Sequence, residues 1–261
     1  MLGAVAGDIA GSVYEFRNFS ADSLKLFSKN SFFTDDTVLS IAVADSILNN
    51  GKYVNSLKKY YALYPHAGYG SRFAKWAGSN GILPPYNSWG NGSAMRVSPV
   101  GFAFYNREEK YLLNEAKKSA KCTHNHPEGI KGASAVALAI SMAINKKTKK
   151  DIKQKIENYY GYNLNKKYSE IKDNKKSSVS CQVTVPQSLI CFLESNNFED
   201  SIIKAVKLGG DTDTLGCITG SISHAYYKKI PEYIVDITLN KLDRRLKRVL
   251  LKFIKRFNVR L

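Results

Sequence analysis

Gly209-Gly210-Asp211-Thr212-Asp213-Thr214 lies between two predicted helices, and a similar acidic stretch, Thr34-Asp35-Asp36-Thr37, precedes a third helix far upstream. Each stretch places two carboxylates and two hydroxyls close to the point where a helix begins. Neither contains Lys or Arg, although the chain has a formal net charge of +17. The four acids repel one another unless a cation lies between them, because an unpaired buried charge is costly.

Helix capping is the alternative explanation for these acids. Thr and Asp are preferred N-caps, and acids in the first turn complement the helix dipole. Capping uses one side chain and leaves the second Asp of each pair unexplained. Two such clusters in one chain therefore favour a metal site, and oxygen ligands of this kind suit Mg²⁺, Mn²⁺ or Ca²⁺ better than zinc or copper.

The hydrophobic pattern of the chain is mostly helical. Helices are predicted over residues 35–49, 128–143, 198–208 and 214–227. A short strand near residues 179–185 stays possible, but no alternation of strands and helices appears. We predict an all-α fold, a single compact domain of orthogonally packed helices over residues 1–261.

Glycines recur at helical spacing near both ends of the chain: Gly3, Gly7, Gly11, Gly216 and Gly220. Gly inside a helix costs about 1 kcal/mol relative to Ala, so its repeated use indicates helices that approach closely. Such an approach would bring the helix ends, and with them the two acidic clusters, to one place.

The positive charge is concentrated in two segments. Residues 145–176 contain eleven Lys and four acids, and residues 241–261 contain nine Lys or Arg and one acid. We expect the first to be a surface excursion near residues 146–178 and the second a basic C-terminal helix over residues 241–258 that packs on the core through an apolar stripe. A charged face is usually solvated, and nucleic acid is the alternative partner.

The rest of the composition indicates a soluble protein. The four cysteines show no metal-ligand pair and no disulfide-dense spacing, which favours a reducing compartment. The first residues lack the basic region of a signal peptide, and no apolar run is long enough to span a bilayer. We expect a cytoplasmic monomer that does not bind membranes.

Three further stretches contain polar residues in suggestive places. In residues 7–15, Asp8 is expected to cap or orient a helix turn, whereas Glu15 opposes a helix dipole and is either exposed or kept for function. In the Gly-rich stretch 88–96, free N–H groups and Arg96 could hold a diphosphate, with a simple turn as the alternative. His124 is suited to placing a phosphate or a ribose.

These stretches occur in an order that resembles the ADP-ribosylglycohydrolase family. The motifs, in chain order, are GDxxGSxYE (7–15), TDDT (34–37), SWGNGSAMR (88–96), THxHPEGIKGA (123–133), SCQxTVPQ (180–187) and GGDTDT (209–214). The resemblance runs from Met1 to about Ile234. It implies an all-helical fold around a cleft that holds two Mg²⁺ or Mn²⁺ ions.

The resemblance also implies roles for individual residues. The implied metal ligands are Thr34, Asp35, Asp36, Asp211, Asp213 and Thr214. The implied catalytic groups are Glu15, which matches an acid/base or gating glutamate of some members, and Asp36. The residues implied to line the ADP-ribose pocket are Gly70, Ser88, Trp89, Gly90, Asn91, Gly92 and His124.

The implied activity is the removal of ADP-ribose from a modified protein side chain, such as arginine or serine, by cleavage at the anomeric carbon of the distal ribose. Two alternatives stay open. One is hydrolysis of another conjugate: O-acetyl-ADP-ribose, poly(ADP-ribose) or an ADP-ribosylated nucleic-acid base. The other is a non-catalytic ADP-ribose-binding protein, which loss of metal ligands would mark, whereas all six ligand positions are present here. Trp89 replaces the Tyr expected in serine-specific relatives, which leaves the acceptor open.

Overall fold

Residues 1–19, 24–81, 83–173 and 178–260 are described by the computed structural model of the protein. They form fifteen helices in chain order: α1 (Leu2–Gly11), α2 (Asp35–Leu48), α3 (Tyr53–Leu63), α4 (Ser71–Ala77), α5 (Gly92–Met95), α6 (Ser98–Phe104), α7 (Glu109–Lys121), α8 (Pro127–Ile144), α9 (Lys149–Tyr160), α10 (Tyr168–Asp173), α11 (Cys181–Leu193), α12 (Phe198–Lys207), α13 (Thr212–Tyr227), α14 (Glu232–Lys241) and α15 (Arg244–Arg256). Within these ranges no strand is formed, and a single antiparallel bridge joins Gly90 to Ser180. The all-α prediction is confirmed.

The four predicted helices correspond to α2, α8, α12 and α13, because their starts carry local signals. The Thr34 side chain accepts a hydrogen bond from the Asp36 backbone N–H and so caps α2. Pro127 begins α8 at the position that proline favours. Gly209 and Gly210 have φ of 73° and 80°, which ends the preceding helix and lets α13 begin two residues earlier than predicted.

The strand considered near residues 179–185 is not formed. Helix α11 begins at Cys181, and only Ser180, just before it, forms the bridge to Gly90. The apolar and β-branched residues of this short stretch do not distinguish a strand from a buried helix. The helix prevails because its apolar residues pack into the helical core.

Helices α1 and α13 pack antiparallel along their lengths, and every residue of α1 is buried. A Cβ atom added to Gly7 would overlap the backbone of Gly216, and one added to Gly3 would overlap the carbonyl oxygen of Gly220. The predicted close approach of glycine-bearing helices is therefore confirmed. At Gly11, an added Cβ would overlap the backbone of Thr212, so the end of α1 lies directly against the start of α13.

Asp8 connects α1 to the start of α2. One carboxylate oxygen accepts hydrogen bonds from the Thr34 N–H at 3.0 Å and the Thr37 N–H at 3.0 Å, as well as from the Thr37 hydroxyl. The other accepts from the Thr34 hydroxyl at 2.7 Å. Asp8 therefore orients the first turn of α2, as its position in the sequence indicates.

The Lys-rich segment forms α9 and α10 at the surface of the domain. Ile152 and Ile156 of α9 and Ile171 of α10 are buried, while most of the lysines are exposed. The predicted surface excursion thus packs one apolar side on its neighbours. Its last part, residues 174–177, lies outside the described residues.

The basic C-terminal segment, predicted to be a helix over residues 241–258, contains the single helix α15. Helix α14 ends at Lys241, and α15 begins at Arg244 because the Asp243 carboxylate accepts hydrogen bonds from the N–H groups of Arg245 and Leu246. The apolar side chains of α15 that are buried against the core are Leu246, Val249, Leu250, Phe253 and Ile254. Packing of this helix on the core is confirmed. Across the described ranges no helix has both the length and the apolar character needed to cross a membrane.

Candidate active site

A cavity of about 420 Å³ opens where the starts of α2 and α13 meet the loop before α5. The predicted site residues that line it are Glu15, Asp35, Asp36, Gly70, Ser88, Gly90, Asn91, Gly92, His124, Asp211, Asp213 and Thr214. The fold thus brings residues from both ends of the chain to one place.

The acidic groups meet at short range inside this cavity. Carboxylate oxygens of Glu15, Asp211 and Asp213 lie within 4.8 Å of one another. The Thr214 hydroxyl donates a hydrogen bond of 3.2 Å to Asp36 Oδ2, which links α13 to α2. The geometry is that of several oxygen donors directed at a common space.

The electrostatics of the cluster are unfavourable without a cation. Burial raises the pKa of Asp36 and of Asp211 well above their ordinary range, and the neighbouring charge of Asp213 raises both further. No Lys or Arg among the described residues forms an ion pair with these acids. The Oδ1 atom of Asp36 is buried without a hydrogen-bond partner. Buried carboxylates in this state are a donor set that fits a hard divalent cation.

Glu15 lies in the turn that follows α1. The backbone N–H of the next residue, Phe16, donates a 2.7 Å hydrogen bond to the Gly210 carbonyl, and this contact holds the turn beside the start of α13. Burial, together with the nearby charge of Asp213, raises the pKa of Glu15 to about 7. A carboxyl group with this pKa can hold or release a proton near neutral pH.

Two predicted site residues do not line the cavity. The Thr34 hydroxyl is occupied as the cap of α2, since it donates to Asp8 and accepts from the Asp36 N–H. The Trp89 side chain is 49% exposed and packs edge-on against His126, with ring centroids 5.5 Å apart. Trp89 therefore belongs to the surface beside the cavity.

The Gly-rich loop lies against His124. A Cβ atom on Gly92 would lie 3.2 Å from His124 Nε2, so this residue allows the loop to approach the ring closely. Two of the loop N–H groups have partners within the protein: Gly90 donates to Ser88 Oγ at 3.1 Å, and Asn91 donates to the Val179 carbonyl at 2.8 Å. The loop is held in place by these contacts, and the Asn91 side chain donates to Asp211 Oδ2 at 2.5 Å.

Sequence reasoning missed Arg72 and Tyr86, which also line the cavity. The Arg72 guanidinium lies over the Tyr86 ring, 5.0 Å from its centroid. Arg72 follows Gly70 by two residues, and this proximity to a suspected site residue is the only signal that could have indicated it. Arg96, which was considered as a diphosphate ligand, borders the cavity but is fully buried.

Comparisons with known proteins identify the family of the chain. A family model described as ADP-ribosylglycohydrolase matches residues 1–259. Human ADP-ribosylhydrolase ARH3 is 24% identical over 318 residues, which covers 89% of this chain and 86% of that protein. ADP-ribosylarginine hydrolase Tri1 of Pseudomonas putida is 23% identical over 87% of this chain and 69% of that protein.

Two further matches bear on the extent of the similarity. An uncharacterized protein of Archaeoglobus fulgidus is 33% identical over 158 residues, which is 54% of this chain and 50% of that protein. A solved structure titled ADP-ribosylglycohydrolase-related protein complex has the same fold, with a TM-score of 0.70 at 24% identity over 97% of this chain and 95% of that one. Since the family model spans nearly all of its residues, this chain belongs to the ADP-ribosylglycohydrolase family and is a hydrolase.

Proposed function

We propose that this protein is a divalent-metal-dependent hydrolase that releases ADP-ribose from a modified acceptor by cleaving the bond at the anomeric carbon of the distal ribose. The observation that carries the proposal is the convergence of Glu15, Asp211 and Asp213 within 4.8 Å, beside Asp36 and without a cationic partner among the described residues. The names of the relatives ARH3 and Tri1 describe the same class of reaction.

The proposed metal ligands are the oxygen donors around the cavity, with Mg²⁺ or Mn²⁺ as the ions and two ions as the proposed number. The set is Asp35, Asp36, Asp211, Asp213 and Thr214, with Thr34 supporting the turn that carries the first two. Such ions, when bound, neutralise the acidic cluster and polarise the oxygens that they contact. The unpartnered Oδ1 of Asp36 supports this assignment, because a ligand would supply the missing partner.

Glu15 and Asp36 are the proposed catalytic carboxylates. Glu15, whose pKa is raised to about 7 in the metal-free protein, lies within the acidic cluster and can protonate the leaving acceptor group or accept a proton from water. Asp36 borders the same space and can accept a hydrogen bond from a water held there. One group that exchanges a proton and one that orients water are the usual requirements of glycosidic hydrolysis.

The ADP-ribose is proposed to lie between the acidic cluster and the loop before α5. The cavity volume of about 420 Å³ is within the range of small-molecule sites. Two further parts of the chain border the cavity: Gly70 just before α4, and a set in and near the Gly-rich loop, which is Ser88, Gly90, Asn91, Gly92 and His124. Trp89 lies beside the cavity, where a flat exposed ring is available to a ligand that extends out of it.

A panel of substrates tests the proposal. Arginine-, serine-, guanine- and thymine-linked ADP-ribose, O-acetyl-ADP-ribose and poly(ADP-ribose) are incubated with the protein in Mg²⁺, in Mn²⁺ and after chelation. We expect release of ADP-ribose from an arginine- or serine-linked substrate, and we expect this release to require the metal. Turnover that survives complete chelation would exclude the metal-dependent mechanism. Failure to cleave any member with either metal would exclude the activity.

A second candidate function concerns nucleic acid as the molecule that bears the ADP-ribose. The exposed cations of α15 are Arg244, Arg245, Arg248, Lys252, Lys255 and Arg256. None of them forms an ion pair with a described carboxylate. The apolar face of α15 is buried, so its cationic face is the one available to a partner. Contacts between cationic side chains and nucleic-acid phosphates weaken as the salt concentration rises. A filter-binding titration at low and raised salt tests this, and weak binding that does not change with salt would remove it.

A further inference from the structure

A fully buried arginine lies behind the ligand-facing loop. The Arg96 guanidinium donates through Nη2 to the Ser119 carbonyl at 3.2 Å and to the Thr123 hydroxyl oxygen at 2.8 Å. Its Nε and Nη1 atoms are buried and have no hydrogen-bond partner, and no described carboxylate forms an ion pair with it. A desolvated charge without a counter-ion is expensive, so this arrangement calls for an explanation.

The arginine contacts His124 through one hydroxyl. Thr123 Oγ1 lies 2.7 Å from His124 Nδ1, and Thr123 is itself fully buried. The Thr123 hydroxyl oxygen uses one lone pair to accept from the Arg96 guanidinium, and the positive charge of that group disfavours a second N–H directed at the same oxygen. The Tyr86 hydroxyl, which also interacts with Thr123, is the competing acceptor for the hydroxyl proton. The arrangement favours a hydroxyl that donates to Nδ1, which places the proton of the neutral imidazole on Nε2.

The Nε2 side of the ring faces the cavity. Cβ atoms added to Gly90 and Gly92 would lie 3.5 Å and 3.2 Å from Nε2, and no described residue forms a hydrogen bond with this atom. Burial lowers the pKa of His124 well below its ordinary range, and the charges of Arg96 and Arg72 lower it further. Burial and the two nearby cations thus favour the neutral ring, and in the tautomer with the proton on Nε2 the ring directs its N–H group at the cavity.

We propose that Arg96 and Thr123 are positioning residues that hold His124 as a neutral Nε2–H donor for a phosphate oxygen of the ligand. The ligand class rests on the proposed function, since ADP-ribose is the phosphate-bearing molecule expected in this cavity. With the opposite tautomer, a nitrogen lone pair would face the anionic oxygen and repel it. Arg96 also makes this side of the cavity more positive, as its effect on the pKa of His124 indicates, and this favours an anionic group there.

The tautomer is measured first, on the wild-type protein without ligand or metal. The chain has four histidines, and the ¹⁵N-labelled His124→Phe variant identifies the His124 ring signals by their loss. We expect the chemical shifts of a protonated Nε2 and an unprotonated Nδ1. A protonated Nδ1 in the wild-type protein would overturn the proposal, whatever ligand the protein binds.

The second measurement is the Kd for ADP-ribose, with Mg²⁺ present, in a double-mutant cycle. Thr123→Val keeps the shape of the side chain and removes the hydroxyl, so we expect weakening of about tenfold or more, the usual effect of losing a hydrogen bond to a charged group. Thr123→Ser should restore wild-type affinity. In the His124→Phe background, Thr123→Val should have little further effect, because its role acts through the ring.

The outcomes separate the two proposals. Equal effects of Thr123→Val with and without His124 would mean a purely structural threonine and would overturn the positioning role. If wild-type protein with the expected tautomer fails to bind ADP-ribose, the ligand assignment and the proposed function are wrong, while the proton position on His124 stands. Wild-type ADP-ribose affinity in Thr123→Ser would show that the weaker binding of Thr123→Val comes from the missing hydroxyl and not from a folding defect.

Discussion

Thr214 Oγ1 donates a 3.2 Å hydrogen bond to Asp36 Oδ2, 178 positions away in the chain, and so joins the start of α13 to the start of α2. Both helices direct their N-termini at the cavity, and the positive end of each dipole offsets part of the repulsion among the acids. That compensation is incomplete, because burial still raises the pKa of Asp36 well above its ordinary range. The site is therefore built to gain a cation.

Neutralising one carboxylate should weaken metal binding. Loss of a group that only supports a metal ligand costs about 10–100-fold in affinity. We therefore expect Asp36→Asn or Asp213→Asn to weaken Mg²⁺ or Mn²⁺ binding by at least about 100-fold and to abolish metal-dependent release of ADP-ribose. Isothermal titration with each metal measures the affinity, and circular dichroism checks that the fold is kept.

Asp45→Asn is the matched control for this experiment. Asp45 lies on the same helix, α2, but pairs with Lys59 at 3.0 Å outside the cavity. Because Asp45 does not border the cavity, removing its charge should leave the metal affinity unchanged. Wild-type metal binding by Asp36→Asn and Asp213→Asn would mean that neither carboxylate is a ligand.

The stabilisation of the protein by metal should increase with pH. The pKa of Glu15 rises from its ordinary 4.5 to about 7, and that of Asp8 from 3.8 to about 7, because both groups are buried near Asp213. At a pH between the ordinary pKa and the raised pKa of these two groups, the folded metal-free protein binds more protons than the unfolded chain. Its stability therefore falls as pH rises toward 7. A bound cation removes this penalty, so the difference in Tm between metal-loaded and metal-free protein should widen from about pH 5 to pH 8.

Comparing metal-loaded with metal-free protein also cancels an opposing pH effect, which comes from His224. Burial lowers the pKa of His224 to about 3, so this residue makes the protein more stable as pH rises through the ordinary histidine range. His224 lies outside the cavity and contributes equally with and without metal. Glu15→Gln should reduce the pH dependence of the metal effect. A Tm difference that stays constant with pH would contradict the prediction.

The parts of the site that the sequence predicts are those fixed by helix ends and by backbone packing. Thr34 and the Gly209-Gly210 pair mark where α2 and α13 begin, and this places an acidic pair at each start. The spacing of Gly7 and Gly216 indicates that helices touch, and their contact brings the ends together. Helix starts and close helix contacts depend on the residue type at only a few positions, so they can be predicted from one sequence.

The parts that the sequence does not predict are the directions of side chains. The Trp89 ring packs edge-on against His126 beside the cavity, and the Trp89 carbonyl accepts a 3.0 Å hydrogen bond from the Cys181 N–H. Arg96, for which diphosphate binding is one of two interpretations of the sequence, directs its guanidinium at Ser119 and Thr123. These directions depend on contacts between segments far apart in the chain, and no local pattern specifies them.

Pushing α1 and α13 apart should lower the free energy of unfolding and weaken metal binding. A Cβ atom on Gly7 would overlap the Gly216 backbone, which cannot move without shifting a whole helix. Overpacking of a tight core lowers the free energy of unfolding by about 1–3 kcal/mol and sometimes more. We expect the destabilisation by Gly7→Ala to reach or exceed the upper end of that range. Urea denaturation measures the stability, and titration with Mg²⁺ measures the metal affinity.

Gly51→Ala is the control for this substitution. An added Cβ there would have no neighbour closer than 3.7 Å, and the backbone of Gly51 is not in the left-handed region. Its stability should change by less than about 1 kcal/mol. If Gly7→Ala behaved like Gly51→Ala, the close helix contact would not be the element that holds the acidic clusters together.

Adjacent leucines on α15 should differ sharply in their effect on stability. Leu250 is fully buried against the core, whereas Leu251 is 38% exposed. Leu250→Ala should cost about 2–5 kcal/mol through lost burial and a residual cavity, and Leu251→Ala about 0.5 kcal/mol or less. Urea denaturation of both variants measures the difference. Equal, small effects would mean that α15 is not packed on the core in solution.

Arg72 should strengthen ligand binding without taking part in the chemistry. Its guanidinium is stacked on Tyr86 at the wall of the cavity, where it can interact with the anionic diphosphate proposed to bind there. A hydrogen bond to a charged group contributes about 1.5–3 kcal/mol, so Arg72→Ala should raise KM for an ADP-ribosylated peptide about tenfold or more and leave kcat largely unchanged. Arg107→Ala is the matched control, because Arg107 is stacked on Tyr111 in the same manner, 4.9 Å from the ring centroid, but away from the cavity. If both variants kept the wild-type KM, Arg72 would only brace Tyr86. A fall in kcat alone would instead indicate that its charge acts on the reacting bond.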